Sequence, residues 1–193
     1  MVLLLRALGV AAACAALLAG CSPDKNWRET RSAEDKFAVA LPGKPKQSTR
    51  TIKLAGADLP MSVTAAGAGA TLFGVGVARL PADSVADDQK VEATLNRFRD
   101  AMLVNLGTTV FSVEAEPKAQ IAEGAAAPRA ALAIRAQRHP QADANKIPPG
   151  PAQLVAQFFL VGDRLYQVTA HGGEGELTPQ VLETFFTSFQ VLP

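Results

Sequence analysis

The sequence predicts an α+β fold, an antiparallel sheet flanked by helices. Three observations carry this. Runs with the two-residue apolar period of strands occur in both halves of the chain, and two stretches repeat apolar residues at helical spacing. The order is strands, a helix, strands, a helix, which favours helices packed on an antiparallel sheet over alternating βαβ units. At 193 residues the chain has room for one domain around a single hydrophobic core, because domains cluster near ~100–150 residues.

Phe37-Ala38-Val39-Ala40-Leu41 alternates and stops at Pro42-Gly43, as a strand closed by a turn does. Strands are expected at 49–54 and 61–66, joined by Ala55-Gly56-Ala57-Asp58. In 71–80, Gly74 and Gly76 stand among Leu72, Phe73, Val75 and Val77, the pattern of a strand that a neighbour approaches closely, and Pro81 marks its end. A helix is expected from Ser84, where Ser84 and Asp87 stand at capping-box spacing. Val91, Leu95, Phe98, Met102 and Leu106 share one face of it, and Gly107 suits its C-cap. Asp88, Lys90, Glu92, Arg97 and Arg99 form the opposite face, which reads as solvated.

Beyond that helix, strands are expected at 108–113, 129–138, 152–161 and 164–170, the last two bracketing the hairpin signal Gly162-Asp163. The intervening 139–151 is too rich in proline for regular structure, and long segments of this kind are commonly functional or disordered. Thr178 as N-cap and Pro179 at N1 open a second helix burying Leu182, Phe185, Phe186 and Phe189.

The N-terminus reads as an address. Arg6 precedes an apolar run, residues 7–20, shorter than the ~20 residues of a spanning helix and ending on small side chains. Leu18-Ala19-Gly20-Cys21 resembles the lipobox of bacterial lipoproteins. That resemblance implies cleavage between Gly20 and Cys21, diacylglycerol on the Cys21 thiol and acylation of the new amine. Residues 1–20 are then a signal peptide, 21–26 a lipidated tether and 27–193 a single domain. Ser22, where aspartate is the usual inner-membrane retention signal, implies the periplasm-facing leaflet of the outer membrane. Each buried methylene contributes ~0.8 kcal/mol, so several acyl chains hold firmly where one holds reversibly.

With 19 Lys+Arg against 18 Asp+Glu, no large positive field exists to recruit nucleic acid. The two cysteines, Cys14 and Cys21, both precede the body of the chain. Disulfides, thiolate zinc sites and cysteine nucleophiles are excluded there, since each needs a thiol.

Trp27, the run from Phe37 to Pro45, the mid-chain helix, Leu165-Tyr166-Gln167-Val168 and Phe185-Phe186-Thr187-Ser188-Phe189 together resemble the PsbP-like superfamily, which includes Mog-type proteins and bacterial lipoproteins such as DcrB. The resemblance implies an α/β/α sandwich and non-enzymatic accessory roles in membrane complexes. It carries over no catalytic residue and no cofactor.

Among candidate sites, His171, Glu174 and Glu176 form the one cluster with metal-capable chemistry. A metal needs three or four ligands in fixed geometry, and the glycines between these residues fix little. The same stretch also reads as a mobile strand-to-helix loop with acids near a helix N-terminus. No Gly-x-Ser-x-Gly elbow is present, which leaves His139 and His171 as the bases open to a hydrolase. Gly67-Ala68-Gly69 and Gly74-Val75-Gly76 do not complete a dinucleotide fingerprint. Trp27 suits either a partner anchor or a plug at the core's edge. The expected function is a membrane-anchored, non-catalytic binding or assembly module with an envelope protein partner. The alternatives are a carrier of a small apolar ligand, favoured by a pocket lined by Phe73, Phe98 and Phe159, and an envelope hydrolase.

Overall fold

A computed structural model describes residues 25–54, 57–138, 152–173 and 175–193. In chain order its elements are β1 (Trp27–Ser32), β2 (Phe37–Pro42), β3 (Lys46–Leu54), β4 (Ala57–Ala68), β5 (Thr71–Arg79), α1 (Asp88–Leu106), β6 (Phe111–Val113), β7 (Gln120–Ile121), β8 (Ala130–Arg138), β9 (Ala152–Val161), β10 (Arg164–Gly173), α2 (Pro179–Thr187) and β11 (Gln190–Val191). Seven strands form an antiparallel sheet in the order β3-β4-β5-β10-β9-β8-β6. Four others form a second, smaller sheet in the order β1-β2-β11-β7.

This corrects the expectation of an α/β/α sandwich. Of the described residues, strand takes 51% and helix 21%, so the fold is mostly β. α1 lies alone over one face of the large sheet, against β8 and β9. The small sheet and the short α2 together cover the other. The single core is corrected too: one apolar layer lies on each face, with Phe98 and Phe158 in the layer under α1 and Phe73 and Phe159 in the layer under the small sheet. β9 shows why both faces had to be covered. Its side chains alternate between the two layers, with Leu154, Phe158 and Leu160 on one face and Val155 and Phe159 on the other, so either face left bare would expose large apolar side chains.

Local chemistry sets the boundaries. Helix α1 starts later than Ser84, because 82–85 forms a 3-10 turn and the Asp87 carboxylate caps the helix, accepting from the Lys90 N–H at 2.8 Å. Gly107 closes the helix at φ 74°, a left-handed conformation costly for residues with a Cβ. The Thr178 hydroxyl caps α2, accepting from the Val181 N–H at 3.3 Å with Pro179 in the first turn. The expected strand at 108–113 shortens to β6, since the Thr108 N–H closes the helix by donating to the Leu103 carbonyl.

The two sheets are tied by a part-buried polar contact. The Tyr166 hydroxyl, on the large sheet, donates to the carbonyls of Asp35 (3.0 Å) and Lys36 (3.3 Å) in the β1–β2 turn. Asp35 in turn accepts from Ser62 on β4 at 2.8 Å. Trp27 packs edge-on to Phe73, ring centroids 5.4 Å apart, and so closes the edge of that layer. Both layers are built from residues within 27–191, so the polypeptide from Lys25 onward carries the complete interior of the described body. No helix among the described residues is long and apolar enough to cross a membrane.

Candidate functional site

Because α1 sits over β8 and β9, the face of the sheet toward its β3 edge is left partly uncovered. A groove of about 490 Å³ runs there between α1 and β3. That volume lies within the ~300–1,000 Å³ typical of ligand pockets. The floor is low at Gly74, Gly76 and Ala65, where side chains are absent or small. Across three strands one row reads Ala65, Gly74, Thr169 and the next Val63, Gly76, Gln167. The glycines expected to admit a close neighbour do so here. A Cβ on Gly76 would stand 3.0 Å from the Met61 sulfur, and one on Gly74 would stand 3.0 Å from the Ala65 Cβ.

The helix wall presents Phe98 and Met102 toward the floor and Arg97, Ala101 and Asn105 along the rim. The opposite wall is β3, an edge strand, with Arg50, Ile52 and Leu54 on the groove side. The three cations of the lining are Arg50, Lys53 and Arg97, and no carboxylate or imidazole lines it among the described residues. Lys53 pairs with Asp58 at 3.0 Å. Neither Arg50 nor Arg97 has a carboxylate partner among the described residues. The sequence places Arg97 correctly on a solvated face, but its role as a groove rim depends on where the helix lands on the sheet.

The residues singled out from the sequence are dispersed. Gly20, Cys21, His139 and Glu174 lie outside the described residues, as does all of 139–151. His171 belongs to β10 and not to a loop, paired with Leu72 and Leu154. It lies beside Asn105 and Arg138 on the α1 face of the sheet. Glu176 accepts from the Gly173 N–H at 3.2 Å and so serves the turn after β10. No group of three His, Cys, Asp or Glu side chains suited to a metal occurs among the described residues. The pocket imagined between Phe73, Phe98 and Phe159 does not form, because Phe73 and Phe159 fill the opposite layer and are fully buried. Exposed apolar side chains cluster elsewhere, at Val110, Phe111 and Val113 along the β6 edge.

Burial, reinforced by the Arg138 guanidinium, holds the His171 pKa below its ordinary 6.5. The unfolded chain therefore takes up this proton more readily than the folded one. The stability concerned is fully present above the unfolded pKa and is lost as pH falls through it toward the lower folded value. Between about pH 7.5 and about pH 5.5 the melting temperature should fall less in His171→Gln than in the parent. Parallel curves in a calorimetric pH series would show that His171 carries none of this dependence.

In comparisons with known proteins, no protein-family model matches the chain and no curated protein matches it.

Proposed function

We propose that the protein is a lipoprotein anchored through Cys21 to the periplasmic leaflet of the outer membrane, and that its body is a non-catalytic binding module of the cell envelope. The α1–β3 groove is its binding surface. The observation that carries this reading is the groove's lining: a floor of small and aliphatic residues with Thr169 and Gln167 at one side, an amide and guanidinium rim, and no acid or imidazole among the described lining residues to move a proton. The lipobox-like Leu18-Ala19-Gly20-Cys21 supports the anchor. The residues that resemble PsbP-like proteins support an accessory role, although the α/β/α architecture expected from that likeness is not the one observed.

Anchoring also orients the body. Lys25 donates to the Thr71 hydroxyl at 3.3 Å and lies over the Phe73 ring. Four residue steps separate Lys25 from Cys21, a reach of at most about 14 Å. An acylated Cys21 therefore holds the Thr71 end of β5 close to the bilayer. The exposed Leu72, at the near end of the groove, comes with it.

A photo-crosslinking residue at Ala101, on the groove rim, should give an adduct in cells, while one at Glu183 on the far face of α2 should not. In Cys21→Ser, both fatty-acid labelling and the Ala101 adduct should disappear. Absence of the Ala101 adduct in the parent, or normal labelling of Cys21→Ser, overturns the reading.

A further inference from the structure

The groove has a chemistry of its own that narrows what it binds. Its helix wall and most of its floor are apolar: Gly74, Gly76, Ala65, Val63, Phe98 and Met102 offer no side-chain hydrogen-bond donor, and Thr169 and Gln167 on β10 are the polar side chains of the floor. Its rim is different. Arg50 rises from the strand wall and Arg97 from the helix wall, and neither is neutralised by a carboxylate among the described residues. Two guanidiniums on opposite walls of one mainly apolar trough supply the charge that a carboxylate head needs above a buried hydrocarbon chain. An acidic protein segment fits less well, because its backbone polar groups would have to enter a floor where the Thr169 and Gln167 side chains alone offer partners.

We infer that the groove binds a single-chain carboxylate amphiphile, a free fatty acid drawn from the membrane, with its head between Arg50 and Arg97 and its chain along the floor beneath Phe98 and Met102. This deepens the binding-module reading and rests on the groove being the binding surface. The source is argued from position. Leu72 is 51% exposed and lines the groove next to Thr71, the residue tied to Lys25, four steps after the proposed anchor. The trough thus opens within reach of the bilayer, where such amphiphiles reside.

The test uses the chain from Ser22 onward, which contains every residue of both apolar layers. It is titrated calorimetrically with octanoate, decanoate and dodecanoate below their micellar concentrations. Dodecyltrimethylammonium serves as a cation of matched chain. The carboxylates should bind with affinity rising about fourfold per added methylene until the groove is filled. The cation should bind at least about tenfold more weakly, as should dodecanoate to the double variant Arg50→Glu/Arg97→Glu. Both arginines are exposed, so this variant keeps the parent's melting temperature in its apolar cores. Ala101→Trp should block the trough without touching the charges.

Equal affinity for cation and carboxylate, or affinity independent of chain length, overturns the inference. So does an undiminished response in both variants. An Ala101 adduct of protein size, combined with no carboxylate binding, would leave the groove as a binding surface and remove only the fatty acid. Absence of any Ala101 adduct would instead remove the binding-module reading itself.

Discussion

Phe189→Ala should lower the melting temperature by roughly 6–20 °C, since truncating a buried Phe costs ~3–5 kcal/mol and a domain of this size shifts ~2–4 °C per kcal/mol. Phe189 has no exposed surface. Its ring stacks on Phe159 at 5.4 Å and lies 5.6 Å from Tyr166 and 6.3 Å from Phe37. One side chain therefore touches β2, β9 and β10, and joins the small sheet to the large one. The site is walled by other aromatics and by the main chain of two sheets, so it cannot collapse to refill the lost volume. Val104→Ala is the control, because Val104 is 76% exposed and surface truncations stay within about ±0.5 kcal/mol. A scan in which both variants melt alike would show that the two sheets do not share this aromatic contact.

Phe98→Ala should also destabilise strongly, but nearer the lower end of that range, at about 3 kcal/mol and roughly 6–12 °C. The ring is buried between α1 and the large sheet, packed in the layer that holds Phe158 and Leu165. It differs from Phe189 in lining the groove as well. Removing it extends an opening that water already reaches, and the cavity component of the cost falls accordingly. Arg97→Ala, one residue earlier on the solvated side, should leave the melting temperature unchanged. If the two substitutions had equal small effects, α1 would not be packed through this face. The order Phe189 over Phe98 is a second expectation, and it separates an enclosed layer from one that borders a groove.

Much of the chain was legible locally. The stripe from Val91 to Leu106 and its closure at Gly107 describe α1 to within a turn, and Thr178-Pro179 marks the start of α2. The β9–β10 hairpin follows from its apolar runs and Gly162, which turns at φ 59°. In these elements the determining interactions lie within a few residues: caps, a left-handed glycine, one apolar face. The sequence by itself also determined that the body carries no thiol and no charge excess, since composition does not depend on folding.

The architecture and the groove were decided by tertiary structure. β1 is mostly polar in sequence, while β7 and β11 have two residues each, too few for any periodic signal. They become a sheet only because the C-terminal Gln190 and Val191 pair with Ala38 and Phe37, and with Gln120 and Ile121. That pairing bridges most of the chain's length, and it turns an expected helical layer into a second sheet. The groove has the same origin. Gly74, Gly76, Ala65, Arg50 and Arg97 are unremarkable where they stand in the sequence. They meet because strand register aligns small residues in rows while α1, docking over β8 and β9, leaves those rows uncovered. Local sequence specifies which face of an element is apolar. Which neighbour covers that face, and how much of it stays open, depends on long-range packing that no single segment encodes.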